Sequence, residues 1–334
     1  MATVWFVIVA AAIAAYAILD GFDLGAGFVS AFVARTPEER RTVQRAIGPF
    51  WDGNEVWLLA GGGVLFMAFP KLYAASFAGF YLPLMIVLWL LILRGIAIEF
   101  GSHLDAPLWR SFWDAVFAGA SMLLTVFYGA ALGNVVRGVP LDRDGVFFLP
   151  LWSNFGVSGE ELGILDWYTV TVGLTAAVAL AWHGALWVNY RVAGSLQLRT
   201  ARFARRLFPA VVILTAATTA GTFAVQPLAT PTPLALVTVA GLVLARKPDR
   251  EFRAFLGSCT YLAGMLASAA ASLYPHVLPA RPASQFSLTI HNAGSSDYAL
   301  TVALYWWLPA LALTTGYFVF LYRRFAGKVD ELVE

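Results

Sequence analysis

The sequence predicts an all-α polytopic membrane protein: a helical bundle of about nine transmembrane helices, one helical domain over 1–334, N-terminus periplasmic and C-terminus cytoplasmic. Three observations carry this: a composition that is 60% hydrophobic and only 13% charged, a run of long apolar windows, and the way Lys and Arg divide between the loops. A soluble chain of 334 residues with a mean hydropathy of +0.72 would be short of surface charge, whereas a chain buried in lipid needs little.

About 20 residues of helix cross the hydrocarbon core. Windows of that kind lie at roughly 3–33, 50–69, 74–98, 112–135, 164–190, 206–226, 232–246, 252–274 and 301–322, the seventh being the shortest. With the N-terminus outside, the inside segments hold Arg35, Arg40, Arg41 and Arg45, then Arg94 and Arg110. They go on to hold Arg191, Arg199, Arg202, Arg205 and Arg206, then Arg246, Lys247, Arg250 and Arg253, and finally Arg323, Arg324 and Lys328. Of the 22 Lys and Arg, only Lys71, Arg137, Arg143 and Arg281 are left outside, which obeys the positive-inside rule at every crossing. The first window lacks a basic leader and a cleavage site, so it is expected to stay as a helix. The two long outside connections, 136–163 and 275–300, carry Gly138, Pro140, Trp152, Pro275, Pro279 and Pro282 and are expected to fold over the outer surface. Trp109, Trp113, Tyr305, Trp306 and Trp307 suit an interfacial belt.

The net charge of +2 does not point to nucleic acid, because the basic residues are spread along the chain and serve topology. The one cysteine, Cys259, excludes an intrachain disulfide and a Cys-based metal cluster.

Two stretches then stand out: Asp20-Gly-Phe-Asp-Leu-Gly-Ala-Gly27 and Trp51-Asp-Gly-Asn-Glu-Val-Trp57. Each places carboxylates in a segment that otherwise reads as membrane-buried, at ~2.5–3.5 kcal/mol apiece on insertion scales. Asp20 and Asp23 are three residues apart, hence about 60° apart on one helix face. Asp20 lies on the order of 20 Å from the inside end of its helix near Val33. Asp52 and Glu55 fall in the first turns of the next helix, at the inside end. The antiparallel pair makes Asp20, Asp23, Asp52 and Glu55 a ladder of carboxylates from the inner surface inward, the graded arrangement a proton pathway needs. Neighbouring glycines, Gly21, Gly25, Gly27, Gly53 and Gly61 to Gly63, allow close helix approach. The same acids would also serve as helix-start caps or as partners of Arg35 to Arg45, Asp52 and Glu55 above all.

Arg94 and Glu99 read as an interfacial salt-bridge pair. His183, between Trp182 and Trp187, reads as a hydrogen-bonded buried histidine rather than a haem ligand. His103, His276 and His291 fall in loops. No methionine pairs with a histidine for axial ligation. Phosphate-loop, serine-triad and zinc patterns are absent, so neither catalytic nor cofactor or metal chemistry is expected on this chain.

The two acidic stretches, in the longer form Gly48-Pro-Phe-Trp-Asp-Gly-Asn-Glu-Val-Trp-Leu58 for the second, resemble subunit II of the cytochrome bd-type quinol oxidases. Tyr73-Ala-Ala-Ser-Phe-Ala-Gly-Phe-Tyr81, Gly133-Asn134 with Gly138-Val-Pro140, Arg199-Thr-Ala-Arg202 and Ser287-Leu-Thr-Ile-His-Asn-Ala-Gly-Ser-Ser296 extend the likeness along the chain. The resemblance implies a bacterial respiratory complex of the cytoplasmic (inner) membrane that oxidises quinol and reduces dioxygen to water. It implies that haem b and haem d sit in a partner, subunit I, and that subunit II is haem-free, similar in fold, and contributes to proton delivery from the cytoplasm. Asp20, Asp23 and Asp52 match the family's proton-path acids by motif, while Glu55 falls where some relatives have an amide. The expected partners are subunit I in a heterodimer, membrane lipid and quinone, with small single-helix accessory subunits as further candidates.

The residues alone reach a nine-helix membrane protein with buried acids. Two other readings stand beside the oxidase: a proton-coupled secondary transporter, which would be expected to show an internal repeat, and a purely structural subunit whose acids only pack helices.

Overall fold

A computed structural model describes residues 1–101, 103–104, 106–156 and 162–329. Eleven α-helices account for most of them: α1 (Ala2–Val33), α2 (Pro37–Ile47), α3 (Trp51–Ala68), α4 (Pro70–Gly79), α5 (Tyr81–Phe100), α6 (Pro107–Arg137), α7 (Trp167–Arg191), α8 (Gly194–Val225), α9 (Ala235–Ala245), α10 (Glu251–Leu273) and α11 (Asp297–Arg324). Seven of these, α1, α5, α6, α7, α8, α10 and α11, are long and apolar enough to cross a membrane, so the chain is a polytopic all-α membrane protein. Among the described residues α3 misses that mark because Asp52, Asn54 and Glu55 crowd its start, and α9 has only 11 residues.

Local signals set the ends. Thr36 caps α2 by accepting from the Glu39 amide, with Pro37 in the first turn; α2 carries Glu38 and Glu39 at its start and Arg45 at its end, where the helix dipole favours them. Asp166 and Thr169 form a reciprocal capping box on α7, and Ser296 caps α11. The third apolar window is two helices, since the chain breaks at Phe80 between α4 and α5. The sixth extends far beyond its window, because α8 starts at Gly194 and carries Arg199, Arg202, Arg205 and Arg206 on its first turns.

The centre is α7, with 72% of its apolar window buried; α11, at 6%, is peripheral. α7 packs on α1, α6, α8 and α10, while α1 also meets α3 and α6, α5 lies on α6, and α9 on α10. α1 changes character along its length. Its first half buries one stripe, Trp5, Val9, Ala12 and Tyr16, at helical spacing, whereas Asp20 to Gly27 is buried all round. That second half reaches α7 at glycines: a Cβ on Gly25 would stand 2.0 Å from the Leu180 carbonyl oxygen, and one on Gly184 2.2 Å from the Gly25 carbonyl carbon. The backbones touch, and no side chain fits between them.

The two long connections meet each other at the end of the bundle away from α2. The Val139 amide donates to the Pro279 carbonyl (3.1 Å) and the Arg281 amide to the Val139 carbonyl (2.9 Å). A short antiparallel pair, β1 (His276–Leu278) and β2 (Leu288–Thr289), stiffens the second of them. Val139, Leu141, Phe147, Leu149, Leu278 and Leu288 pack there with Trp5 and Phe69. Positions 157–161 of the first connection lie outside the described residues.

Candidate functional site

The acids of the first two motifs converge on one guanidinium. Arg94 of α5 is fully buried. Its Nη2 donates to Asp20 Oδ1 at 2.7 Å, and its Nη1 to Asp20 Oδ2 at 3.2 Å and to Glu55 Oε1 at 2.8 Å. This corrects the pairing expected from sequence: Arg94 shares an inward face with Leu90 and Ala97, while Glu99, five residues on and about 140° round the helix, is exposed. Glu55 is likewise paired with Arg94 rather than with the Arg35–Arg45 segment.

Asp23, also fully buried, accepts from Asn54 Nδ2 at 2.7 Å through Oδ2, and the same amide donates to the Leu19 carbonyl at 3.1 Å. Asp23 Oδ1, Asn54 Oδ1 and Arg94 Nε are buried with no hydrogen-bond partner among the described residues. One turn before Asp20, the Tyr16 hydroxyl donates to that of Tyr128 on α6 at 2.8 Å, their rings edge to face at 5.5 Å. Exposure is graded: Asp52 is exposed on the first turn of α3, the Glu55 side chain is 28% exposed, and those of Asp20 and Arg94 are 0% exposed. Asp52 is close enough to Glu55 to act on it electrostatically. The structure therefore brings Asp20 and Glu55 together directly, Asp23 through α1 and Asn54, and Asp52 at the open end.

Sequence reasoning gave Arg94 the wrong partner and missed the roles of Asn54 and the tyrosine pair. A lone arginine in an apolar window was a signal for the first, and the position of Asn54 between Asp52 and Glu55 a signal for the second.

Three carboxyls facing one guanidinium are not charge-balanced when all are ionised, and unbalanced charge is expensive where the dielectric is low. Protonation of a carboxyl brings such a group towards neutrality. Outside the spanning segments the charges act as ties. Glu39 of α2 binds the guanidinium of Arg199 on α8, whose Nε also donates to the Val33 carbonyl at 2.9 Å. Burial pushes the Glu39 carboxyl up, but hydrogen bonds from the Arg35 amide and from Arg199 outweigh it and hold the group below the usual carboxylate range.

His183 does not suit a haem iron. Its Nε2 donates to the Ile18 carbonyl at 2.9 Å, and Nδ1 faces the Ser258 hydroxyl at 2.7 Å, so both ring nitrogens are engaged. The ring ties α7 to α1 and α10 and stacks on Phe255 at 5.2 Å. His103 stacks on Phe100 and His276 faces the Leu273 carbonyl. Among the described residues no cluster of His, Cys, Asp and Glu could hold a metal ion.

Comparison with known proteins bears on the whole chain. The family model described as cytochrome bd terminal oxidase subunit II matches residues 1–325. The cytochrome bd ubiquinol oxidase subunit 2 of Bacillus subtilis is 30% identical, over 98% of this chain and 96% of that protein. The cytochrome bd-I ubiquinol oxidase subunit 2 of Escherichia coli is 28% identical, over 98% and 95%. In fold, the chain superposes on the structure of bd oxidase from Geobacillus thermodenitrificans with a TM-score of 0.74 at 17% identity, covering 97% of this chain and 98% of that one.

Proposed function

The chain belongs to the family of subunit II of the cytochrome bd terminal oxidases, and from that premise we propose that it is the haem-free subunit which scaffolds a haem-bearing subunit I and feeds it protons. The family is one of haem-containing respiratory oxidases, and a multi-pass protein of the bacterial inner membrane is the setting its helices require. Family membership leaves the transporter alternative without support.

The observation that carries the proton role is the cluster itself: Asp20 and Glu55 bound to Arg94, Asp23 joined to it through α1 and Asn54, and Asp52 at its open end. Reduction of dioxygen to water consumes protons, and taking them from the cytoplasm makes turnover charge-separating. In this reading Asp52 takes a proton from water at the inner surface and Glu55 passes it inward. Arg94 holds the carboxyls within reach of one another, and Asp20 and Asp23 store protons at depth, with no residue of this chain touching oxygen.

Topology and the family resemblance supply the rest of the reading. The bundle is one helical domain with its N-terminus outside, and α3 and α9 are the spans that bring the seven to nine. Haem b and haem d belong to subunit I, as do quinol oxidation and oxygen reduction, so this chain is enzymatic only as part of the complex. Lipid, quinone and small single-helix subunits complete its surroundings.

The test is to solubilise the native membrane gently, purify the chain by a tag, and record reduced-minus-oxidised spectra of what accompanies it. The reading expects one haem-bearing, quinol-oxidising partner at one-to-one stoichiometry, and no haem on this chain once separated. A colourless chain with no such partner would overturn it.

A further inference from the structure

A second buried cation lies near the cluster, and among the described residues it has no acid. Arg191, at the end of α7, is 1% exposed. Its Nη1 donates to the Gly327 carbonyl, and its guanidinium stands 5.6 Å from the ring centroids of both Phe50 and Trp187. Among the described residues its Nε and Nη2 have no hydrogen-bond partner and no carboxylate is paired with it. Tyr322 of α11 stacks on the other partner of this group, Phe50, at 4.7 Å. The Tyr322 hydroxyl lies close enough to Asn54, Asp23 and Arg191 to feel all three, yet it too makes no hydrogen bond of ordinary geometry.

These unpartnered atoms are complementary. Asp23 Oδ1 and Asn54 Oδ1 accept, the Arg191 nitrogens donate, and the Tyr322 hydroxyl can do both. Buried polar atoms in such a series are bridged by water when two to four of them converge on one site. The series ends at Gly327, which is exposed, on the same side of the protein as α2. A hydrated path from the surface to Asp23 would let protons bypass Asp52, except that a fixed guanidinium stands in its mouth. An excess proton approaching it meets like-charge repulsion in a medium of low dielectric.

We propose that Asp23, Asn54, Tyr322 and Arg191 form one hydrated polar line, and that Arg191 closes its end at the inner surface to protons, so that the cluster is filled only past Asp52 and Glu55. Arg191 and Tyr322 are then positioning residues, and no bond to substrate is made or broken at either. The proposal rests on the proton role given above, and its test separates the two.

In the purified complex, Asp52→Asn is expected to lower turnover per haem about tenfold. Adding Arg191→Met opens the second mouth and restores turnover at least about threefold. A double variant as slow as Asp52→Asn overturns the proposal. If Asp52→Asn does not slow turnover, the proton role of Asp52 fails, and the line is then tested by infrared difference spectroscopy. The carboxyl or carboxylate band that is lost in Asp23→Asn should shift in Tyr322→Phe, which keeps the ring stack and leaves haem content unchanged. The same measurement decides the matter if Arg191→Met does not assemble, and an unmoved band overturns the line.

Discussion

Two arginines sit inside this bundle near opposite ends, and their surroundings differ in kind. Arg137, at the end of α6, faces one acid. It pairs with Asp166, its Nη1 also donates to the Gly163 carbonyl (3.0 Å), its Nη2 to Asn134 Oδ1 (2.7 Å) and its Nε to the Gly138 carbonyl (3.3 Å). Every nitrogen is engaged, Asp166 doubles as the cap of α7, and Asn134 reaches on to the Ala130 and Ile164 carbonyls at 2.8 Å. Arg94 faces Asp20 and Glu55 directly with Asp23 close by, keeps one nitrogen unpartnered, and connects to a half-exposed carboxylate. A neutral, saturated pair holds a loop to a helix and has nothing to exchange. In the proposed role, an acid-rich, unsaturated one takes up and releases protons.

The sharpest way to break this comparison is to remove both cations. Arg94→Gln and Arg137→Gln should each destabilise the protein by on the order of 3–5 kcal/mol, since each strands a buried carboxylate. Thermal melts of the purified complex measure that. Only Arg94→Gln should also lower oxygen consumption per haem in the complexes that do assemble; equal activity in both would remove the distinction.

Within the acid-rich cluster, effects should follow what each acid can be replaced by. Asp52→Asn, at the water-facing end, should slow turnover about tenfold. Glu55→Gln should slow it at least about fivefold, because a glutamine keeps an oxygen for Arg94 to bind but can no longer pass a proton inward. Oxygen-electrode rates normalised to haem test both, and an unchanged rate in Glu55→Gln would take Glu55 off the path.

The smallest effect sharpens the contrast between buried and peripheral charge. Glu39 has its carboxyl held below the usual range, so its tie to Arg199 contributes stability that is complete above the unfolded pKa of about 4.3 and is lost as pH falls through the lower folded value. Glu39→Gln should lower the melting temperature slightly at pH 7, with the difference shrinking in acid.

What was legible in the sequence was local. The apolar windows, the acids of α1 and α3 and the glycines between them lie within single helices, where spacing alone sets the face. Arg94 was misassigned because its true partner, Asp20, is 74 residues away, whereas Glu99 was five. The Tyr16–Tyr128 pair spans 112 residues and has no local trace. α2 is not among the apolar windows because an 11-residue amphipathic helix has no membrane-length apolar run, though Thr36-Pro37 and the acids after it announce its start. The reading of His183 as a hydrogen-bonded buried side chain agrees with its two engaged nitrogens.

The central claim is that the cluster on Arg94 carries protons and the pair on Arg137 does not, and one paired measurement tests it most directly. Asp20→Asn and Asp166→Asn complexes would be purified, matched for haem content, and assayed for quinol oxidation in ordinary and heavy water. The account predicts that Asp20→Asn lowers turnover per haem at least about tenfold and enlarges the solvent isotope effect, while Asp166→Asn lowers only yield and melting temperature. Wild-type turnover and isotope effect in Asp20→Asn would contradict it.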